Sequence, residues 1–263
     1  MDAANRLAWL GRQIRKRKLT PEREPPRAIR YGRHLPRSAP ATPAARAALR
    51  LEDAVDGDVT EVEGVGRALV LTHRETIETP VDPGHLFFDI EATGLTAAPL
   101  FLIGVMSATG EEGGREVTVR QFLARHYAEE AAVVSLFVQA AEPRTSLVSF
   151  NGKSYDLPFI RTRAALHRIP CDVDLDHVDL LHVSRRRWKD ELPDCRLQTL
   201  ETRILGKPRV PDIPGADIPD AYHAFVRSGD ASDIVRILTH NVRDLVSLAE
   251  LLARLESGAE ATS

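Results

Sequence analysis

The sequence predicts an α/β domain with a mixed sheet of five strands, first an antiparallel meander and then parallel strands, flanked by helices. Three observations lead to this fold class. Strand-like apolar segments follow one another closely between residues 85 and 124, helical and strand-like segments alternate from residue 128 to residue 186, and helices dominate from residue 196 onwards. Closely spaced strands pair antiparallel, whereas strands joined through a helix pair in parallel. The chain order therefore gives a meander followed by β-α-β-α.

The strands are predicted from short apolar or alternating segments. HLFFDIEATGL is an apolar run that ends near Gly94, and LFLIGVMSA follows it closely. EVTVRQFLA alternates apolar with polar residues, as a strand with one buried face does. A short β-hairpin over residues 61–75 precedes them. The five predicted strands of the sheet are residues 85–95, 100–108, 116–124, 145–151 and a short strand within 176–186.

The helices are predicted from apolar residues that recur every three or four positions. The first of them stops before Pro143, because proline disfavours a helical conformation in the residue before it. The last is long and carries an apolar stripe beside its polar residues. The predicted helices are residues 128–141, 155–169, 196–205, 219–229 and 231–256.

The charge balance differs between the start of the chain and the remainder. Residues 1–50 contain 13 Lys and Arg against 3 Asp and Glu, while the remainder contains 22 against 35. Proline interrupts this basic segment, so we expect a flexible or loosely docked arm with at most a short helix over Arg6–Lys18. We therefore divide the chain into a basic arm, a folded domain and a tail: residues 1–60, 61–256 and 257–263.

The composition narrows the class of protein. The two cysteines, Cys171 and Cys195, are too few for a disulfide framework or a zinc cluster. A reducing compartment is the simplest interpretation, and the expected location is cytoplasmic. No apolar run approaches the roughly 20 residues needed to cross a bilayer, so no membrane is expected as a partner.

Two carboxylates lie on the first predicted strand of the sheet. Asp89 and Glu91 are two positions apart, so their side chains point to one side, while Phe88 and Ile90 point to the other. Neighbouring carboxylates repel each other and are costly to bury, and a divalent cation is the usual compensation. A D-x-E pattern can also be an ordinary solvated face. The strongly apolar flanking residues favour a site at the end of a buried strand.

Two further acidic positions and a histidine complete the set. Asp156 enters a helix after the loop that follows an apolar strand, where an acid can also simply offset the helix dipole. Asp244 lies four positions after His240, so both side chains share one face of the last helix. A solvent-facing His/Asp pair is the alternative, but the apolar neighbours indicate that this helix is packed over much of its surface.

In this order, the blocks resemble the DEDD superfamily of 3′→5′ exonucleases. They are D-I-E-x-T-G-L from Asp89, N-G-x-x-x-D-x-P-F-I from Asn151 and H-N-x-x-D from His240. The segments DLLHVSRRRW and PDIPGADIPDAYHAFVRSGD extend the resemblance to the YprB-type RNase H-like exonuclease domains, over roughly residues 84–254. The resemblance implies an RNase H-like fold and a metal-dependent 3′→5′ exonuclease.

The resemblance also implies a role for each residue of the set. Asp89 would bridge two divalent ions, Glu91 and Asp244 would complete one metal site, and Asp156 would support the second. His240 would orient or deprotonate the attacking water. Mg²⁺ is the expected ion and Mn²⁺ its substitute, because all the ligands are oxygen atoms.

The position of the histidine departs from the two patterns of the resembled family. There, the residue that assists the water is either a tyrosine separated by three residues from the last aspartate or a histidine separated by four. Here three residues separate His240 from Asp244. The chain therefore combines the spacing of the tyrosine type with the chemistry of the histidine type.

Basic residues near these motifs are candidate contacts with nucleic acid. Two flank Asp156, and a basic run follows the fifth predicted strand, where it could hold phosphates and stack a base. The alternative for that run is a solvated basic turn with its tryptophan packed beneath. The candidates are Lys153, Arg161, Arg185, Arg186, Arg187 and Trp188.

The predicted substrate is a single-stranded 3′ end of nucleic acid, either DNA or RNA. A helicase that supplies single strands would be a suitable partner. Two alternatives stay open, namely an RNase H-like module that binds nucleic acid without cutting it and an endonuclease with the same fold. The four filled carboxylate positions favour catalysis, and the late H-N-x-x-D helix favours an exonuclease.

Overall fold

The structure is a computed structural model that describes residues 48–207 and 213–260, with side chains as far as residue 257. The predicted helix over Arg6–Lys18 and residues 1–47 of the predicted arm (residues 1–60) lie outside the described residues. In the part of the chain that is described, no helix is long and apolar enough to cross a membrane.

Seven strands and seven α-helices form the described part of the chain. The strands are β1 (Asp58–Val62), β2 (Gly66–Val81), β3 (His85–Ala92), β4 (Leu100–Ala108), β5 (Gly114–Leu123), β6 (Ser146–Ser149) and β7 (Asp176–Asp179). The helices are α1 (Leu51–Ala54), α2 (Glu130–Ala141), α3 (Asp156–His167), α4 (Leu180–Trp188), α5 (Leu197–Arg203), α6 (Ile218–Ser228) and α7 (Ser232–Glu260). Single turns of 3₁₀ helix lie at Tyr127–Glu129 and Gly215–Asp217.

All seven strands belong to one mixed sheet in the order β1-β2-β5-β4-β3-β6-β7. The neighbours β3, β6 and β7 are parallel, and the other pairs are antiparallel. This arrangement confirms the predicted mixed sheet, a meander followed by parallel strands. The predicted number of five strands was two too low, because the N-terminal hairpin is longer than expected and joins the sheet. Its second strand pairs with β5 from Leu69 to Thr76.

Helices cover both faces of the sheet. The side chains of β3 show which face belongs to the apolar core and which holds the predicted carboxylates. The ring of Phe88 packs against Phe137 of α2 at 5.3 Å between centroids, inside the apolar core. The next residue, Asp89, accepts a hydrogen bond from Asn241 of α7. Because successive side chains of a strand point to opposite faces, α2 and α7 lie on opposite sides of β3. The α7 side is the face to which the predicted carboxylates point.

A buried ion pair fixes the loop that follows the carboxylates of β3. Glu130, at the start of α2, is 2% exposed and accepts hydrogen bonds from Arg163 at 2.5 and 2.6 Å. His167 contacts the same carboxylate at 2.9 Å. The backbone N–H of Leu100 also donates to it at 2.7 Å, which ties the first residue of β4 to α2. This network therefore anchors the chain between the end of β3 and the start of β4.

We expect the substitution Arg163→Ala to destabilise the domain by about 3–5 kcal/mol, because it leaves a buried carboxylate without its bidentate partner. Urea denaturation followed by circular dichroism measures this loss. Arg236→Ala is the matched control, since Arg236 forms an exposed ion pair with Asp233 and such pairs contribute at most about 1 kcal/mol. Equal losses in the two variants would contradict the prediction.

Candidate active site

The two carboxylates of β3 lie at its carboxyl-terminal end on the face covered by α7. Asp89 and Glu91 are both partly buried, whereas Phe88 and Ile90 belong to the apolar core. The Oδ2 atom of Asp89 accepts a hydrogen bond of 2.9 Å from Asn241 Nδ2. The alternation that the sequence predicted for this strand is therefore confirmed.

His240 lies between two of the acidic side chains. Its Nε2 atom is 3.6 Å from Asp244 Oδ2, one turn along α7, and 3.9 Å from Glu91 Oε1 on β3. The histidine is 9% exposed, so the imidazole is held inside the site and not on its rim. The helix and the strand thus contribute to one cluster, and His240 and Asp244 share a face of α7 as their spacing of four positions predicted.

Asp156 reaches the cluster from the N-terminus of α3. It is 6% exposed and follows a tight turn after β6, in which Asn151 adopts a φ of 68°. Asparagine tolerates this left-handed conformation better than most residues. Gly152 is required beside it, because a Cβ there would be 2.3 Å from Ser149 Oγ and 3.1 Å from Asp156 Oδ2. The N-G pair of the sequence motif therefore shapes the turn that delivers the aspartate.

The carboxylates are close enough to repel one another. Burial, together with the charges of Asp244 and Asp156, holds the pKa of Asp89 well above its ordinary value. Burial also raises the pKa of Asp156 to about 7, and the charge of Asp179 acts in the same direction. Concentrated negative charge of this kind is unfavourable without a compensating cation, so the residues fit a divalent metal ion.

The donor set suits an ion that keeps part of its water shell. Among the described residues, no three Asp, Glu, His or Cys side chains are gathered closely enough to enclose an ion by themselves. Mg²⁺ does not need such an enclosure, because it is commonly held by one or two carboxylates together with water and substrate phosphate oxygens. An ion held by these carboxylates would take its remaining ligands from water and from substrate phosphate oxygens.

Asp179 is a buried acidic residue near the site that the sequence did not single out. It ends β7, is 4% exposed, and its carboxylate accepts hydrogen bonds from the backbone N–H groups of Asn151, Lys153 and Leu181 at 2.9 to 3.1 Å. It thereby caps α4 and holds the turn that leads to Asp156. A signal did exist, since an aspartate directly before a helix is a favoured cap.

Asn241 is part of the H-N-x-x-D motif, yet the motif alone predicts no role for it. It is fully buried, contacts Asp89 and receives a hydrogen bond from Gln121 of β5 at 2.9 Å. A polar residue in an alternating strand carries no sign of a partner 120 positions away. For Gln121, no sequence signal was available.

The candidate nucleic-acid contacts fall into two groups. Lys153 and Arg161 are exposed, and their charges add to burial in lowering the pKa of His177 to about 4. His177 lies beside the Asp156 turn, since its Nε2 is 2.7 Å from Ser149 Oγ. Lys153 lies on the turn that leads to Asp156, and Arg161 donates a hydrogen bond to the carbonyl of Val173 at 2.8 Å.

The second group lies on a helix and not on the turn that the sequence suggested. The fifth predicted strand spans only Asp176–Asp179, and α4 begins at once, so Arg185, Arg186 and Arg187 form an exposed helical surface. The expectation that Trp188 stacks on a base does not agree with the structure. Its side chain is only 6% exposed and packs on the inner side of α4, whereas stacking requires an open ring face.

The fold and the site define the class of protein. The sequence model RNase_H_2, of the RNase_H superfamily, matches residues 86–256, and the chain therefore belongs to the RNase H superfamily. Membership indicates a hydrolase that acts on nucleic acid, and RNase H-like nucleases generally use divalent metal ions.

Two individual proteins are also similar to this chain. Over 170 residues the chain is 35% identical to "Uncharacterized protein YprB" of Bacillus subtilis (strain 168), which confirms the resemblance noted from the motifs. The match covers 63% of this chain but only 40% of that protein. The fold is similar to that of the family B DNA polymerase from the hyperthermophilic archaeon Pyrobaculum calidifontis, with a TM-score of 0.52 and 18% identity. That match covers 76% of this chain and 28% of the polymerase, and it concerns the fold alone.

Proposed function

We propose that this protein is a metal-dependent 3′→5′ exonuclease that hydrolyses phosphodiester bonds of single-stranded nucleic acid. The observation that supports it most is the convergence of acidic side chains from β3, α3 and α7. Asp156 and Asp244 both raise the electrostatic cost of ionising Asp89, and His240 lies between Asp244 and Glu91.

Each residue has a distinct task in this proposal. Asp89 would help to hold two divalent cations, Mg²⁺ or Mn²⁺ in its place, with Glu91 and Asp244 at one and Asp156 at the other. When bound, such ions activate the attacking water and neutralise charge on the leaving 3′ oxygen. His240 orients that water and accepts its proton, since the imidazole is within 4 Å of carboxylates at both sides.

The space beside the cluster supports a substrate with an unpaired base. A cavity of about 280 Å³ is lined by residues of the loop after β3 and of α3. Leu95 is 79% exposed there, and Tyr155 donates a hydrogen bond to the carbonyl of Gly94 at 3.3 Å. Apolar and aromatic surface next to carboxylates suits the terminal base of a single strand. An enzyme that separates duplexes, such as a helicase, would supply that strand.

A degradation assay tests this proposal. Single-stranded DNA and RNA labelled at the 5′ end are incubated with the protein and Mg²⁺, and we expect a ladder that shortens one nucleotide at a time. Excess EDTA should stop the reaction. Full activity in EDTA would overturn the metal requirement, and cleavage of a circular single strand would indicate an endonuclease. Binding without any cleavage would support a non-catalytic module.

The exposed arginines of α4 provide a prediction about substrate binding. Replacing Arg185, Arg186 and Arg187 together by Ala should weaken binding of single strands and lower the slope of log affinity against log salt by up to about 2. The reason is that each phosphate no longer neutralised by an arginine reduces this slope by roughly 0.7. Fluorescence anisotropy at several salt concentrations measures the slope.

A charge-matched variant separates a local contact from a general effect of charge. It replaces three exposed arginines that lie away from α4: Arg74, Arg115 and Arg227. We expect its salt slope to stay close to that of the wild-type protein. Equal changes in the two triple variants would contradict a nucleic-acid contact on α4.

A further inference from the structure

Asn241 is the polar side chain that links α7 to the carboxylate at the centre of the site. It is 0% exposed, and its Nδ2 atom donates to Asp89 Oδ2 at 2.9 Å. Its Oδ1 atom accepts a hydrogen bond of 2.9 Å from Gln121 Nε2, which is also fully buried. A buried amide with two such partners is held in one orientation. We call Gln121 and Asn241 the amide relay.

The donor and acceptor roles within the amide relay are set by a backbone carbonyl, because a carbonyl oxygen can only accept a hydrogen bond. Gln121 Nε2 is 2.9 Å from the backbone carbonyl oxygen of Leu238, which can only accept. The glutamine must therefore turn its NH₂ group in that direction, and the same NH₂ group meets the oxygen of Asn241. Asn241 in turn must present its own NH₂ group to Asp89. The amide orientations follow from this chain of donors and acceptors.

The sheet provides a space of the right shape for this contact. Asp89, Gly104 and Gln121 are direct neighbours in one row across β3, β4 and β5. The side chain of Asn241, on α7, packs against the glycine in the middle of this row. A Cβ at Gly104 would be 2.0 Å from Asn241 Oδ1, so no other residue leaves room for the amide there.

We propose that Gln121 and Asn241 are positioning residues that hold the Asp89 carboxylate in the orientation needed to bind a divalent cation. This inference rests on the proposed function, in which Asp89 is a metal ligand. A fixed donor on Oδ2 sets the rotation of the carboxylate, so that Oδ1 would be the oxygen left to meet an ion. Groups that orient metal ligands in this way commonly change metal affinity about 10–100-fold when they are removed.

The test measures the affinity for Mn²⁺ itself, by electron paramagnetic resonance titration of free Mn²⁺, together with cleavage. Asn241→Leu keeps the size of the side chain without its hydrogen bonds, and Gln121→Met removes the next contact without touching Asp89. We expect the dissociation constant for Mn²⁺ to rise about 10-fold in Asn241→Leu and measurably in Gln121→Met. The double variant should equal Asn241→Leu, because the effect of Gln121 travels only through Asn241.

Ser146→Ala is the control, since Ser146 is equally buried in the sheet and its hydroxyl has no hydrogen-bond partner among the described residues. A merely structural role predicts lower melting temperatures in the relay variants with Mn²⁺ affinity unchanged, and that result would overturn the inference. Additive losses in the double variant would also overturn it. A wild-type protein that binds Mn²⁺ but cuts nothing would refute the proposed function while leaving the relay open to the same measurement. A wild-type protein that binds no Mn²⁺ would refute both.

Discussion

The substitution Asp89→Asn is expected to reduce cleavage to background and, at the same time, to stabilise the metal-free domain. Cleavage is lost because asparagine cannot replace the anionic ligand proposed to hold both cations. Stability increases because the pKa of Asp89 is held well above its ordinary value by burial and by the charges of Asp244 and Asp156. An ionised Asp89 therefore costs free energy at neutral pH, and the neutral isostere removes that cost. Asn241 can still donate to the side-chain oxygen.

The gain is expected to be on the order of 1 kcal/mol, within the usual range of a single stabilising substitution. In a domain of this size it corresponds to an increase of about 2–4 °C in the melting temperature. Because the pKa is raised in the folded state, the wild-type protein recovers stability as the pH falls and the carboxyl is protonated. The difference between variant and wild type should therefore be largest near about pH 8 and shrink towards about pH 5.

Differential scanning calorimetry in EDTA measures this difference at both pH values. Glu78→Gln on the exposed part of β2 is the control, and it should change neither cleavage nor stability. Addition of Mg²⁺ should raise the melting temperature of the wild-type protein and leave that of Asp89→Asn nearly unchanged. A variant that melts below the wild type in EDTA, or that still degrades single strands, would contradict the assignment.

The second large effect is expected for His240→Ala, which should lower the turnover rate by about 100-fold or more. The imidazole lies 3.6 Å from Asp244 and 3.9 Å from Glu91, where it can receive a proton from water held by the same carboxylates. Affinity for Mn²⁺ should be largely kept, since the carboxylates themselves are unchanged. Single-turnover rates at saturating metal and substrate separate the chemical step from binding.

Two further variants make this test specific. His126→Ala is the matched control, because His126 faces Glu129 at 3.5 Å in another part of the domain and should leave the rate unchanged. His240→Tyr should restore part of the rate lost in His240→Ala, since the spacing to Asp244 is the one at which the resembled exonucleases carry tyrosine. A normal rate in His240→Ala would show that the histidine only packs against the helix.

Local sequence patterns were enough to predict those features of the fold and site that depend on residues close together in the chain. The apolar alternation around Asp89 predicted correctly which face of β3 is buried. The interval of four positions predicted that His240 and Asp244 share a face of α7. Both results follow from the geometry of one strand or one helix and require no knowledge of a partner.

The features that the sequence did not predict depend on contacts between segments that are distant along the chain. The hairpin was not counted among the strands of the sheet, because nothing local shows that Leu69 and its neighbours pair with β5, some fifty positions later. The site of Gln121 and Asn241 exists only once β5 and α7 are in contact. The basic run was expected on a turn, with Trp188 either stacking on a base or packed beneath, and the observed helix buries the tryptophan.

The late position of α7 has a consequence for synthesis of the protein on the ribosome. The sheet and the apolar core around Phe88 draw mainly on earlier segments, whereas His240, Asn241 and Asp244 all belong to the last helix. Domains form progressively while the chain is made, at about 5–20 residues per second. A growing chain therefore carries Asp89 for many seconds without the residues that would complete the site. In the proposed mechanism, it cannot cut nucleic acid until α7 has docked.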